Sequence, residues 1–142
     1  MTQSDSETTP EVLEGYKILV VDDEPDALTF ISTILEDNGA TVLQAENGDK
    51  ALEIARAEKL NLMTLDLEMP GKSGVEVYSI LKEDPELNEL PVCIITGRPE
   101  MRKLIYERSS IQPPEGYLNK PINEKSLIFT LRKILEIKKK KR

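Results

Sequence analysis

Hydrophobic residues along this chain gather into short continuous runs, and each run is followed by a turn and then by a segment of helical period. Lys17-Ile18-Leu19-Val20-Val21, Thr41-Val42-Leu43-Gln44-Ala45, Leu62-Met63-Thr64-Leu65, Val92-Cys93-Ile94-Ile95 and Gly116-Tyr117-Leu118 have the length of strands. The first is β-branched enough to be buried on both faces, and the second reads as an edge strand. Between these runs the apolar spacing changes to about 3.6 residues. Pro25 suits the first turn of a helix whose face carries Leu28, Ile31 and Leu35, with Phe30 and Ile34 alongside, until Gly39 closes it. Asn47 caps a second helix through about Glu58, with Ala51, Leu52 and Ala55 inward. A third runs from Gly74 to Lys82, a fourth over roughly Glu100 to Arg108, and a fifth from about Glu124 to Ile137. Strand and helix alternating in this way predict an α/β fold with a parallel, doubly wound sheet and right-handed crossovers.

Composition narrows the chemistry. At 142 residues and 39% hydrophobic content, the chain suits one domain with one core. Residues 1–14 are polar and acidic and read as a flexible arm, 15–137 as the domain, and 138–142 as a basic C-terminal tail. There is no histidine, which excludes His-based acid–base catalysis, His metal ligation and phosphohistidine chemistry on this chain. Cys93 is the only cysteine and lies in an apolar run, so it reads as a core thiol, with no internal disulfide or Cys-rich zinc site.

A net charge of −7 argues against a nucleic-acid-binding surface over the body of the domain, and no DNA-binding module is recognisable. No apolar run approaches the ~20 residues of a membrane span, and the N-terminus is unlike a signal peptide, so a cytoplasmic location is expected. The run Lys138 to Arg142 reads as a solvated helix end that suits the helix dipole. An acidic partner, nucleic acid or anionic lipid is the alternative role for it.

The strand ends carry the candidate site. Asp22 and Asp23 follow the first run, Asp66 the third, Thr96 the fourth and Lys120 the fifth. In a parallel sheet these positions line one edge, where α/β folds bind ligands. Each has an ordinary alternative: Asp22 and Asp23 as helix caps, Thr96 satisfying strand-end backbone, Lys120 as a solvated turn residue. Three carboxylates about 5 Å apart repel by about 3 kcal/mol per pair at an effective dielectric near 20, which calls for a cation. An all-oxygen site favours Mg2+ or Mn2+. Beside such a cation and Lys120, Asp66 is the candidate nucleophile for a phosphoryl group, and Thr96 offers its hydroxyl to the bound phosphoryl.

Through Val21-Asp22-Asp23-Glu24, Asp66-Leu67-Glu68-Met69-Pro70 with Gly74, Thr96-Gly97 and Tyr117-Leu118-Asn119-Lys120-Pro121, the chain resembles the receiver domain of bacterial two-component response regulators, over about residues 16–137. The resemblance implies a flavodoxin-like, three-layer (βα)5 fold with strand order 2-1-3-4-5, and a chain that acts as a phosphoacceptor rather than an enzyme on other substrates. It implies that Asp66 is phosphorylated from the phosphohistidine of a sensor histidine kinase or phosphotransfer protein. Asp23, Asp66 and the Glu68 backbone carbonyl would bind Mg2+, with Asp22 acting through water. Thr96 and Tyr117 would form the switch pair, and a cis peptide would join Lys120 to Pro121. The surface of the fourth helix, fifth strand and fifth helix would meet a downstream effector or a second copy in a homodimer.

Two features depart from the family pattern. The stretch from Thr96 to Lys120 is slightly long, with Pro113-Pro114-Glu115-Gly116 before the fifth strand, which puts the partner surface in question. Glu68 and Arg98, each two residues past a site residue, are expected to pair across the mouth of the site and slow hydrolysis of the phosphoryl group. Two other readings compete. A haloacid-dehalogenase-like phosphatase also uses an aspartyl nucleophile and Mg2+, but normally needs a second aspartate where this chain has Glu68. A receiver-like interaction module that works without phosphorylation usually lacks an acidic residue or the lysine, and here all are present.

Overall fold

In the computed structural model residues 12–107 and 112–140 are described. The apolar runs form five strands, β1 (Lys17–Val21), β2 (Thr41–Ala45), β3 (Leu62–Asp66), β4 (Val92–Thr96) and β5 (Gly116–Asn119). They pair in parallel in the order β2-β1-β3-β4-β5, so β2 and β5 are the edges. The helices are α1 (Pro25–Asp37), α2 (Gly48–Ala57), α3 (Gly74–Glu83), α4 (Arg102–Tyr106) and α5 (Glu124–Lys140), with a 3₁₀ turn at Pro99–Met101 leading into α4. The expected (βα)5 architecture and strand order are both present.

The period of two along each strand sends side chains to two cores. Leu19, Val21, Met63, Leu65 and Ile94 pack with Val75, Tyr78, Leu81 and Ile105 on the side of α2, α3 and α4. Ile18, Val20, Leu62, Cys93 and Ile95 pack with Ile31, Leu35, Leu127, Leu131 and Ile134 on the side of α1 and α5. Every residue of β3 and β4 is buried, which makes these central strands a rigid base for whatever their C-terminal ends carry. Cys93 is the expected core thiol, and burial pushes its pKa up to about 12.

Several boundaries differ from those expected. Residues 12–14 do not belong to an arm: Leu13 is fully buried among the α1 and α5 residues, and its amide donates to the Asn38 carbonyl at 2.8 Å. One apolar pair in a polar stretch hardly changes the local composition, yet it suffices to cover the end of a core. Residues 1–11 lie outside the described residues. The basic tail is the helix end expected of it, but α5 runs past the expected Ile137: Lys138–Lys140 continue the helix, and Lys138 pairs with Glu89 at 2.9 Å. Lysine is a good helix former, and cations in a last turn complement the dipole; Lys141 and Arg142 lie outside the described residues.

The fourth helix is shorter than the expected 100–108, because Pro99 starts a 3₁₀ turn and only residues 102–106 are α-helical; Arg108 is outside the described residues. Phe30 is half-exposed rather than part of the α1 face, which is carried by Ile31, Ile34 and Leu35.

The unusual connection before β5 is anchored at the sheet edge opposite the strand C-termini. Glu115 accepts from the Val92 amide at 2.8 Å and lies 3.9 Å from the Lys82 ammonium. That nearly buried ammonium donates to the Asn88 and Leu90 carbonyls, both at 3.2 Å, and the Tyr78 hydroxyl donates to the Gln112 carbonyl. Burial pushes the Lys82 pKa down and Glu115 opposes the shift. Gln112 and Glu115 are therefore held by α3 and the start of β4, away from the strand ends that carry Asp22, Asp66 and Thr96.

Candidate functional site

The register of the sheet delivers the predicted residues to one place. Val21 pairs with Leu65, Asp66 with Ile95 and Thr96 with Asn119, so Asp22, Asp66, Thr96 and Lys120 all lie at or just past the same edge. Asp22 turns the chain off β1 by accepting from the Glu24 amide at 3.0 Å, and Pro25 then starts α1. Asp66 does the same off β3, accepting from the Glu68 amide at 3.1 Å. Gly74 is what lets α3 begin here. A Cβ at this position would stand 2.1 Å from the Asp66 carbonyl oxygen, so only glycine permits the approach. Ser73 and Glu76 close the helix start with a capping box.

Asp22, Asp23 and Asp66 each offer a carboxylate oxygen, and these atoms lie within 4.8 Å of one another. Asp22 and Asp66 are 1% and 3% exposed, so their mutual repulsion is poorly screened. Lys120 reaches into the cluster, its Nζ 2.8 Å from Asp22 Oδ2, 3.6 Å from Asp66 Oδ2 and 3.3 Å from Glu24 Oε1. Buried Asp22 Oδ2 has the Lys120 ammonium as its contact, and as a carboxylate oxygen it keeps a lone pair for a further cation. The donor set is all oxygen, and its residues fit Mg2+.

These surroundings set the charge states. Burial raises the Asp66 pKa to about 7, with Asp22 and Asp23 adding to the rise while the Glu68 amide and Lys120 oppose it. Burial alone would lower the Lys120 pKa, but the bond to Asp22 and the charge of Asp66 outweigh it, so the net shift is upward and the ammonium is retained. Lys120 thus offsets part of the negative charge of Asp22, Asp66 and Glu24.

Thr96 is fully buried, and its Oγ1 accepts from the Arg98 amide at 3.0 Å. Glu68 and Arg98 do meet, with Nη1 to Oε2 at 3.5 Å, while Arg98 also holds Glu100 at 2.9 Å. Both side chains of the first pair are largely exposed, so the contact is weak. Tyr117 is half-buried on β5 between α4 side chains. The Arg102 guanidinium carbon stands 4.5 Å from its ring centroid, and the Tyr106 ring centroid is 6.1 Å away. Lys120–Pro121 is cis, as the resemblance implied.

Two participants escaped the sequence reading. Glu24 shares the Lys120 ammonium, a role its place in the Asp22-Asp23-Glu24 run could have signalled. Arg102 had no signal at all, since only the fold brings α4 against β5. Cavities of about 720 Å³ around Tyr16, Leu60 and Pro91 and about 780 Å³ beside Ile128 and Phe129 are lined by other residues, away from this cluster.

An edge of parallel strands carrying an acidic trio, a lysine and a buried threonine is the arrangement of a receiver domain. The chain belongs to the response regulator receiver domain family, whose model matches residues 18–132. It is 34% identical over 119 residues to protein PilH of Pseudomonas aeruginosa, covering 84% of this chain and 97% of PilH. It is 30% identical to the heme response regulator HssR of Staphylococcus aureus, covering 82% of this chain but only 50% of that longer protein. The structure of response regulator TrrA from Thermotoga maritima in complex with Mg2+-BeF superposes with a TM-score of 0.74 at 28% identity, over 84% of this chain and 98% of TrrA. Among the described residues no helix is long and apolar enough to cross a membrane.

Proposed function

We propose that this receiver domain is a phosphorylation switch in which Asp66 accepts a phosphoryl group from the phosphohistidine of a partner histidine kinase or phosphotransfer protein. The observation that carries this reading is the convergence of three carboxylates within 4.8 Å around a lysine that contacts two of them. A carboxylate oxygen of Asp66 attacks phosphorus, the P–O bond forms, the P–N bond breaks, and its electron pair returns to the imidazole nitrogen. Mg2+ bound at this edge would supply positive charge for the phosphoryl oxygens. Asp22, Asp23, Asp66 and the Glu68 carbonyl would hold it.

The chain's own residues do the rest. Lys120 places an ammonium beside the Asp66 oxygen and compensates charge on the incoming group. Asp22 holds Lys120 by the 2.8 Å contact. Thr96 turns its hydroxyl from the Arg98 backbone toward the phosphoryl group, and Tyr117 responds to the space this vacates. That response reshapes the surface of α4, β5 and α5 for a separate effector protein, as a population shift driven by the added charge and acceptor oxygens. Glu68 and Arg98, paired at the mouth, hinder attack by water and lengthen the life of the phosphoryl group.

The test is incubation with acetyl phosphate and Mg2+, followed by intact mass of wild type and Asp66→Ala. A stable gain of one phosphoryl group that the variant lacks supports the proposal. Turnover of phosphate esters would favour a hydrolase, and absence of any adduct a module that works without phosphorylation.

A further inference from the structure

Arg102 on α4 contacts two residues of β5, Tyr117 and Asn119. Its guanidinium carbon lies 4.5 Å from the Tyr117 ring centroid, and its Nη2 donates to Asn119 Oδ1 at 2.8 Å. Its Nε is buried without a hydrogen-bond partner, and so is the Tyr117 hydroxyl. Arg102 therefore reaches β5 through one hydrogen bond and one ring contact, and the Tyr117 hydroxyl has no hydrogen-bond partner of its own to fix the ring. Two α4 side chains flank the ring: the flat Arg102 cation lies against it, fixed at its far end by Asn119, and the Tyr106 ring stands 6.1 Å away, so Arg102 is the charged, hydrogen-bonded part of the hold. Asn119 is the residue before Lys120, so the same guanidinium contacts Tyr117 and Asn119 on the strand that leads to the site lysine.

The state being held is identifiable. Thr96 spends its hydroxyl on the Arg98 backbone, accepting from its amide at 3.0 Å, and so the threonine is not yet committed to a group on Asp66. We propose that Arg102 is a positioning residue for Tyr117, a latch from α4 that fixes the ring in the resting arrangement and is released when a phosphoryl group on Asp66 draws Thr96 away. This rests on the reading of Thr96 and Tyr117 as the switch pair. It adds the group against which the switch must work, and it makes the strength of one cation–ring contact a determinant of how readily the domain is activated. A contact of this type shifts a two-state equilibrium by about two- to fivefold at a half-exposed site.

The experiment uses the full chain with its tyrosines replaced biosynthetically by 3-fluorotyrosine, so that Tyr16, Tyr78, Tyr106 and Tyr117 each give a fluorine resonance; Tyr117→Phe assigns the last. In Arg102→Gln without any phosphoryl mimic, the Tyr117 resonance should move and broaden while those of Tyr16 and Tyr78 stay in place. Asn119→Ala, which removes only the anchor, should move it less. Titration with beryllofluoride and Mg2+ should then convert Arg102→Gln at about two- to fivefold lower concentration than wild type. Arg102→Lys, which keeps the charge but not the flat fork, should fall between them. A Tyr117 resonance unaffected by Arg102→Gln, or a beryllofluoride requirement that is unchanged or higher, overturns the latch. The resonance of the untreated protein reads the latch whether or not Asp66 is a phosphoacceptor, so its failure is distinguishable from failure of the proposed function.

Discussion

Replacing Asp66 by asparagine should stabilise the metal-free protein at high pH, and the size of the effect follows from the burial of the site. Asp66 is 3% exposed beside two other carboxylates, and its pKa rises from 3.8 to about 7. A group whose pKa is higher in the folded than in the unfolded state contributes most stability when it is protonated in both, below about pH 4. That contribution falls as the pH climbs from about 4 to about 7, where the unfolded chain ionises first, and above about 7 it is lost in full. Three pKa units correspond to about 4 kcal/mol, and sharing of protons within the trio reduces this, so a difference of about 2–4 kcal/mol is expected at pH 8.

Urea denaturation of wild type and Asp66→Asn in the presence of chelator measures it, with the m-value confirming that both unfold from the same compact state. Asparagine cannot ionise, so the two proteins should be nearly equal at pH 4 and diverge up to about pH 7. Mg2+ should close most of the gap at pH 8, because a bound cation stabilises the ionised trio. A difference that does not vary with pH, or an Asp66→Asn protein less stable than wild type at pH 8 in chelator, would refute the account of the site's electrostatics.

Other outcomes are equally specific. Gly74→Ala, whose Cβ would stand 2.1 Å from the Asp66 carbonyl oxygen, should cost about 3 kcal/mol in thermal or urea unfolding and slow adduct formation by displacing Asp66. Glu115→Ala leaves the Val92 amide without its acceptor and should cost about 1–3 kcal/mol, with adduct formation at Asp66 unchanged because the anchor lies at the opposite edge. The double variant Glu68→Ala, Arg98→Ala should shorten the life of the phosphoryl group without altering stability, read as the rate of adduct loss after donor removal; an unchanged lifetime removes these residues from that role.

Much of the site was legible because a parallel sheet makes sequence position and spatial position equivalent at strand ends. Asp22, Asp66, Thr96 and Lys120 needed only the five apolar runs to be recognised as strands. The Glu68 and Arg98 contact was legible for the same reason, each lying two residues past a strand end. What escaped depended on packing across elements. Leu13 hides in a polar segment whose composition says arm, yet it fills the end of the α1 and α5 core. Phe30 follows the helical spacing of its neighbours loosely enough to land outside the face. The lysine run was legible as a helix end, and only the exact end of α5 was not, because the apolar face that marks the helix stops at Ile137 while the lysines carry it on to Lys140. Arg102 gives no signal in sequence at all, since its partner Tyr117 is reached only through the angle at which α4 lies on β5.

In the proposed switch Asp66, one of three neighbouring carboxylates, carries the phosphoryl group with the help of a cation. Borohydride reduction turns an aspartyl phosphate into homoserine, so treating the protein after exposure to acetyl phosphate and sequencing its peptides by tandem mass spectrometry locates the acceptor. Homoserine is expected at position 66, in samples containing Mg2+ and not in those containing chelator. Homoserine at position 22 or 23, or equal conversion of position 66 without the cation, would contradict the proposed switch.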